Sequence, residues 1–158
     1  FNRDVIARNT SRRNFRIYKY DGYFANIGSL ADYYSHSMEL LGTPENRDEI
    51  FGIKTRPIYT KVRDDMPAKY GLNSYATNCL VADGCVIDGE VENCVLFRGV
   101  KIGKGAKVRN CVIMQDTVIG ANSRLDYVVA DKNVEIEENR TLMGYQTYPV
   151  YIAKESKV

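Results

Sequence analysis

Apolar residues recur at a fixed interval through the second half of the chain. Three consecutive blocks of equal length, 91–107, 108–124 and 125–141, place aliphatic side chains at equivalent positions. In each block a small residue is followed two positions later by an aliphatic one, as in Thr117 and Ile119. A spacing of two puts both side chains on one face of a short strand. The aliphatic series consists of Val81, Ile87, Val91, Leu96, Ile102, Val108, Ile113, Ile119, Leu125, Ala130 and Ile136.

Members of this series lie five or six residues apart, with one gap of four, which suits a short strand followed by a tight corner. Three strands and three corners make a triangular coil, and stacked coils bury the series as a continuous ladder. The pattern is similar to the hexapeptide-repeat, left-handed parallel β-helix. We predict about three to four such coils between roughly residues 77 and 141. Residues suited to positive φ punctuate the series; they are Gly103, Gly105, Gly120, Asn110, Asn122 and the pair Asp83-Gly84.

All four cysteines occupy the small inward position of this pattern; they are Cys79, Cys85, Cys94 and Cys111. Cys94 and Cys111 lie one repeat apart, so their Cα atoms should be separated by about 4.8 Å, within reach of a disulfide. A redox or metal site is therefore sterically conceivable. We nevertheless predict buried free thiols, because inward positions are dry and no histidine accompanies them.

The first half predicts a short α/β segment. Residues 16–20 have the composition of a strand, and Ser29 with Asp32 is typical of a helix start. An apolar stripe then ends at Gly42, and Thr43-Pro44 suits the start of a second helix running toward Phe51. The stripe consists of Leu30, Tyr33, Tyr34, Met38 and Leu41.

Residues 53–76 lack a clear period, so we predict three parts: a segment over 1–52, a connector over 53–76 and a β-helix domain over 77–158. The side chains expected to pin the connector to a neighbouring surface are Tyr59, Val62, Met66 and Tyr70. The chain begins at Phe1 without methionine or an apolar leader, which favours a piece of a longer protein.

The net charge of +2 is too small to indicate nucleic-acid binding. The one basic cluster is predicted to be a solvated surface; it comprises Arg3, Arg8, Arg12, Arg13, Arg16 and Lys19. No apolar run is long enough to cross a bilayer, and no secretory signal is present, so we expect a cytoplasmic protein without membrane contact. The single histidine, His36, completes no catalytic or metal-binding constellation, so we expect no catalytic residue in this chain.

Several segments resemble the glucose-1-phosphate adenylyltransferase family, whose members are also called ADP-glucose pyrophosphorylases. The resemblance rests on DGYFANIGSLADYYSHSMELL at 21–41, on RPIYT and MPAKY, and on CLVADGC, VENCVLFRGVKIGKGAKV and VVADKNVEI in the repeats. Within the family the chain is most similar to the carboxy-terminal part of the GlgD-type subunit. The resemblance implies glycogen synthesis, in which ATP and glucose-1-phosphate give ADP-glucose and pyrophosphate with the aid of Mg²⁺.

The resemblance also implies roles for two residues. Asn26 stands where the family carries an acidic ligand to Mg²⁺, and an amide neither neutralises nor tightly holds the ion. We therefore expect no metal or other cofactor in this fragment and no activity of the fragment alone. Lys132 matches a family corner that contacts a sugar-phosphate effector. The implied partner is a catalytic adenylyltransferase subunit in a hetero-oligomer, with self-association as the alternative.

Two other functions remain open at this point. Hexapeptide acyltransferases use similar β-helices with a histidine base, which the repeats here lack; binding of acetyl-CoA would favour that function. A non-catalytic interaction module, related to pyrophosphorylase-like subunits of a translation-initiation nucleotide exchange factor, is the third hypothesis. Co-purification with initiation-factor subunits would favour it.

Overall fold

Short parallel strands make up the second half of the chain in a computed structural model, which describes residues 1–42, 44–53, 55, 57–59 and 64–158. The strands are Lys69–Tyr70 (β1), Tyr75–Thr77 (β2), Leu80–Val81 (β3), Val86–Ile87 (β4), Glu90–Glu92 (β5), Val95–Leu96 (β6), Lys101–Ile102 (β7), Lys107–Arg109 (β8), Val112–Ile113 (β9), Val118–Ile119 (β10), Arg124–Asp126 (β11), Val128–Ala130 (β12), Glu135–Ile136 (β13), Thr141–Met143 (β14) and Val150–Ile152 (β15).

The strands form three parallel sheets, each built from every third strand. Face 1 contains β1, β4, β7, β10 and β13; face 2 contains β2, β5, β8, β11 and β14; face 3 contains β3, β6, β9, β12 and β15. About four turns separate the first and last strands of a face, so the chain winds as the predicted left-handed parallel β-helix. The sequence repeat is also the pairing register, because Leu125 lies opposite Val108, the equivalent residue of the preceding block.

Aliphatic side chains fill the interior as one ladder. Of the predicted series, ten members are buried, each with 2 % or less of its surface exposed, and Val81 packs against them from the first turn. Burying each valine, leucine or isoleucine of the series contributes roughly 1.5–3 kcal/mol relative to leaving it exposed. The predicted inward register is therefore confirmed.

The ladder extends beyond the predicted span of 77–141. β1 pairs with β4 from Lys69 onward, and β15 pairs with β12 as far as Ile152. At both ends some pairings depart from the block length, which obscures the repeat there, although Lys69 pairs with Val86 at the block length itself. Tyr75 pairs with Glu90, at a shorter interval than the blocks, and Val128 pairs with Val150, at a longer one. The division into 1–52, 53–76 and 77–158 remains a prediction.

Two kinds of glycine occupy the corners. Gly84 and Gly105 have φ of +73° and +71°, and Asn110 and Asn122 also have positive φ, as predicted. Gly103 and Gly120 do not. A Cβ on Gly103 would lie 2.7 Å from the backbone nitrogen of Ala121 in the next turn, and one on Gly120 only 2.5 Å from that of Glu138. These two glycines are needed for close approach of successive turns.

Two helices precede the β-helix, α1 over Leu30–Gly42 and α2 over Pro44–Phe51, as predicted. Short turns of π and 3-10 type occupy Asn2–Ile6 and Ala7–Asn9. The strand predicted for residues 16–20 is wrong, because none of the described strands pairs with this segment and Ile17 is 99 % exposed. No helix in the described ranges has the length and apolar character needed to cross a membrane.

The connector is only partly described, and Val62 lies outside the described residues, as does Thr43 between the two helices. Tyr59 and Met66 are 90 % and 79 % exposed, so they do not pin it to a surface of this chain. Tyr70 belongs to β1. The backbone carbonyl of Met66 accepts a hydrogen bond from the Gly84 N–H at 2.6 Å, which attaches this part of the connector to the β-helix.

The inward register predicts opposite outcomes for two neighbouring substitutions on β10. Ile119 is 1 % exposed, whereas Val118 points outward and is 39 % exposed. Ile119→Asp places an unpaired charge in the dry ladder and should cost about 4 kcal/mol or more. The matched variant Val118→Asp should change stability by less than about 1 kcal/mol. Urea unfolding followed by circular dichroism measures both, and equal midpoints for the two variants would contradict the register.

Candidate functional site

Helix α1 docks on the outer side of face 3, where the outward positions form an apolar row. The row contains Val95, Val112 and Val129, and the last two are completely buried. Tyr34 of α1, only 3 % exposed, packs on this row. Its hydroxyl donates a hydrogen bond to the Asn110 carbonyl oxygen at 2.8 Å. The predicted stripe of α1 is therefore a packing surface.

The start of α1 is capped as the sequence predicts. The Asp32 N–H donates to the Ser29 hydroxyl oxygen at 3.1 Å, and the Gly28 N–H donates back to the Asp32 carboxylate at 3.2 Å. The first of these bonds satisfies a donor that the first turn of a helix leaves unpaired, and the second ties the preceding residue to that turn. They also fix how residues 21–28 enter the helix.

Lys132 lies exposed at the corner between β12 and β13. The preceding carboxylate organises this corner, since Asp131 accepts the Lys132 N–H at 2.7 Å and the Tyr151 hydroxyl at 2.9 Å. The following residue, Asn133, has φ of +57°, which directs the chain into the next strand. Among the described residues no carboxylate forms an ion pair with the Lys132 ammonium group.

Electrostatics link this corner to α1. The hydrogen bond to Asp131 raises the pKa of the Tyr151 hydroxyl. Burial raises the pKa of Tyr33 on α1, and the Asp131 carboxylate contributes to that shift. In the next turn Lys154 pairs with Glu155 at 3.1 Å, and the Glu155 N–H donates to the Lys132 carbonyl at 3.0 Å. The corner thus presents two lysines in successive turns.

Asn26 lies exposed in the segment that leads into α1. The nearby carboxylates serve other partners: Asp32 accepts the Gly28 N–H, and Glu49 accepts the Tyr23 N–H at 2.7 Å. In the part of the chain that the structure describes, no group of three or more metal-ligating side chains converges. The surroundings of Asn26 therefore do not fit Mg²⁺ by themselves. The structure does not bring Asn26 together with Lys132.

The cysteines are free thiols, as predicted. Cys85, Cys94 and Cys111 are buried, and Cys79 is partly buried beside them. Burial strongly raises the pKa of Cys94, and a hydrogen bond with Cys94 is the main cause of the raised pKa of Cys79. Thiols held protonated in this way are unreactive packing groups.

The surface on which α1 docks was not predicted from the sequence, although the pattern of outward residues indicates it. Outward positions on face 1 include Lys101 and Glu135, whereas those on face 3 are aliphatic at three successive turns. An apolar row on the outside of a β-helix indicates a covering element.

His36, the only histidine, lies partly buried on α1 with Nδ1 3.0 Å from a Glu39 carboxylate oxygen.

These features define the chain as a hexapeptide-repeat β-helix with a helix packed on one face. Residues 65–147 match the family described as GlmU-like, C-terminal hexapeptide, and the chain belongs to that family. It is 46% identical to the glycogen biosynthesis protein GlgD of Bacillus subtilis (strain 168) over 96% of its own length and 43% of that relative.

Two relatives from Geobacillus stearothermophilus extend the comparison. One is its glycogen biosynthesis protein GlgD, 54% identical over 46% of this chain and 20% of the relative. The other is its glucose-1-phosphate adenylyltransferase, 34% identical over 69% of this chain and 28% of the relative. The predicted resemblance to the adenylyltransferase family, and within it to GlgD, is confirmed. The chain spans less than half the length of these relatives.

Alkaline pH should weaken the docking of α1 through Tyr34. Burial raises the pKa of the Tyr34 hydroxyl, so the folded state holds its proton more tightly than the unfolded state. The resulting stability is fully present below about pH 10 and is lost as the pH rises toward the folded-state pKa. Tyr34→Phe should lower stability at neutral pH by about 1 kcal/mol, because it removes the bond to Asn110.

The same variant should flatten the fall in stability above pH 10, because one titrating group is removed. Urea unfolding between pH 8 and 11 measures both effects. Tyr18→Phe, at a tyrosine that is 87 % exposed, serves as the control. Parallel pH profiles for the parent protein and Tyr34→Phe would contradict the assignment.

Proposed function

We propose that this chain is the carboxy-terminal regulatory and assembly portion of a subunit in glycogen biosynthesis. The observation that carries the proposal is its similarity to GlgD of Bacillus subtilis along 96% of its length. Similarity to several glucose-1-phosphate adenylyltransferases over more than two thirds of this chain supports a link to ADP-glucose formation. The protein would act in the cytoplasm beside a catalytic adenylyltransferase subunit.

The architecture suits a platform role. The outer rows of the β-helix are fixed by the buried ladder, and α1 is fixed to face 3 by Tyr34 and the valine row. A rigid scaffold of this kind positions residues and partner surfaces without supplying chemistry itself. A hetero-oligomer with the catalytic subunit is the assembly we propose, with self-association as the alternative outcome.

Asn26 supports a non-catalytic role for the parent subunit. An aspartate at this position would bring negative charge toward Mg²⁺, whereas an amide brings none. The carboxylates nearest in sequence, Asp21 and Asp32, are engaged with Lys19 and with the Gly28 N–H. We therefore propose that Mg²⁺ acts at the catalytic partner, where it would organise the phosphates of the nucleotide.

The parent subunit alone should form ADP-glucose far more slowly than its catalytic partner. Each 1.4 kcal/mol of lost transition-state stabilisation slows turnover about tenfold, so loss of a charged ligand predicts at least a tenfold deficit. The measurement is release of pyrophosphate from ATP and glucose-1-phosphate by each purified full-length subunit. Asn26→Asp alone need not restore activity. A parent subunit as active as its partner would refute the proposal.

We further propose that Lys132 contacts an anionic effector of the sugar-phosphate class. Lys132 is exposed, and its carbonyl accepts the N–H of Glu155, the residue after Lys154 in the next turn. A lysine binds a phosphate as a point charge. The corner is held in shape by the two hydrogen bonds to Asp131, so little ordering would accompany binding.

Lys132→Ala should raise the sugar-phosphate concentration needed for half-maximal activation by about 10- to 100-fold, as expected for the loss of a charge-assisted contact. The matched control is Lys104→Ala. Lys104 is also an exposed corner lysine, is followed by a residue of positive φ, and has a carbonyl that accepts an N–H at 3.0 Å. Activation assays of the reconstituted complex with each variant distinguish the two corners. Equal activation curves for both variants would mean that Lys132 is an ordinary surface lysine.

A further inference from the structure

One corner of the β-helix, between faces 2 and 3, is built from a column of asparagines. Asn78, Asn93 and Asn110 follow one another in successive turns with φ of 47°, 51° and 51°. Their side-chain amides form a chain of hydrogen bonds: Asn78 Nδ2 donates to Asn93 Oδ1 at 2.8 Å, and Asn93 Nδ2 donates to Asn110 Oδ1 at 3.4 Å. Asparagine tolerates this left-handed conformation, so the column costs little strain.

Tyr127 breaks the column. It takes the place of Asn110 in the next turn, in the same corner, and has φ of 53°. A bulky side chain in this conformation costs roughly 1–2 kcal/mol, which glycine or asparagine would largely avoid. Asp126 supplies the next acceptor instead, taking a bond from Asn110 Nδ2 at 2.8 Å. The turn itself therefore does not require a tyrosine, and a strained residue of this kind points to a function.

The ring of Tyr127 forms a wall of a cleft between α1 and the β-helix. Its centroid lies 6.3 Å from that of Tyr34 and 6.1 Å from that of Tyr145, both in tilted arrangements. The cleft has a volume of about 320 Å³. Besides Tyr34 and Tyr127, the residues that line it are Ser35, Met38, Glu39, Asn110 and Gln146. One carboxylate oxygen of Glu39 accepts the Tyr23 hydroxyl at 3.2 Å and lies 3.0 Å from His36 Nδ1.

The charged, polar and apolar groups of the lining determine which class of ligand would fit the cleft. Among the described residues, no lysine or arginine lines the cleft and one carboxylate does, so phosphates and other anions are disfavoured. Aromatic rings and a thioether suit an apolar face, while the carboxylate and the amides suit several hydroxyl groups. The Asn110 side-chain amide still has one N–H and one acceptor position after its hydrogen bonds with Asn93 and Asp126.

We propose that this cleft binds a neutral pyranose sugar, with one face of the ring against Tyr127 and its hydroxyls toward Glu39, Asn110 and Gln146. Such a sugar could come from two sources, a free hexose or the end of a glucan chain. The choice of glucose-based probes rests on the function proposed above. The site itself is defined by Tyr127 and the cleft, whatever the subunit does in the parent complex.

Isothermal titration and saturation-transfer NMR of this 158-residue chain with glucose and with maltotriose test the proposal. We expect saturable binding with a Kd of about 1–10 mM, a value typical of a few contacts. Tighter binding of maltotriose than of glucose would identify a chain end as the ligand, and equal binding would identify a free hexose. Glucose-1-phosphate should bind no better than glucose.

Variants locate the site. Tyr127→Asn restores the asparagine column and removes the ring, so it should fold normally and weaken sugar binding at least tenfold. Glu39→Gln should weaken it less, because an amide still accepts a hydroxyl. Tyr75→Asn, at an exposed tyrosine on face 2, is the control and should bind like the parent protein.

Absence of saturable binding to both neutral sugars overturns the proposal, as does unchanged binding by a folded Tyr127→Asn variant. Preference for glucose-1-phosphate over glucose would also overturn it, since the described lining of the cleft offers a phosphate no cation. None of these outcomes depends on ADP-glucose formation. Failure of the sugar site therefore leaves the proposed function standing, and an active parent subunit would leave the sugar site standing.

Discussion

The stacking of aliphatic side chains inside the β-helix is the constraint on which the other features depend. Each turn must place its residue directly over that of the previous turn, about 4.8 Å away, or the ladder opens. Because inward residues stack, outward residues on the same strands must stack as well. On face 2 this produces charged rows in which Glu90 meets Lys107 at 2.9 Å and Glu92 meets Arg109 at 3.4 Å. Exposed pairs of this kind contribute little, so stability comes from the ladder.

The same stacking explains the position of α1. Outward valines on successive turns of face 3 form a continuous apolar row, which would be exposed if nothing covered it. Tyr34 covers this row, and its hydroxyl donates a hydrogen bond to the Asn110 carbonyl oxygen. Strands β9 and β12 therefore separate two apolar layers, the inner ladder and the outer contact with α1.

Much of this fold could be predicted because the ladder imposes a period on the sequence. The inward series, both helices and the free cysteines follow from local spacing and residue size. The strands outside the predicted span were missed because the pairing interval changes next to them, and a repeat is recognised by its constant period. The interval is shorter than the repeat between Tyr75 and Glu90 and longer between Val128 and Val150. The strand expected at residues 16–20 failed for a different reason. The composition of residues 16–20 suits a strand, but a strand also needs a neighbour to pair with, and no described strand pairs with this segment.

The site residues were less predictable because they depend on what the turns bring together. Lys132 stays a prediction from resemblance, and the structure adds the hydrogen bonds of Asp131 that shape its corner. Tyr127 carries no local signal of its own. Its importance appears only when it is aligned with Asn78, Asn93 and Asn110. Tyr127 shares their positive φ, but a tyrosine adopts this conformation at a higher cost than an asparagine.

Helix α1 brings the two corners into a fixed relation. Tyr33 lies close enough to Asp131 for the carboxylate to affect its pKa, and the next residue, Tyr34, contacts Tyr127. Consecutive residues of one helix therefore border the corner proposed to bind an anion and the cleft proposed to bind a neutral sugar. Because Val112 and Val129 are completely buried beneath α1, any shift of the helix would expose apolar surface and lose packing. A helix held this firmly favours two sites of independent affinity, since coupling between them would require a second stable position for α1.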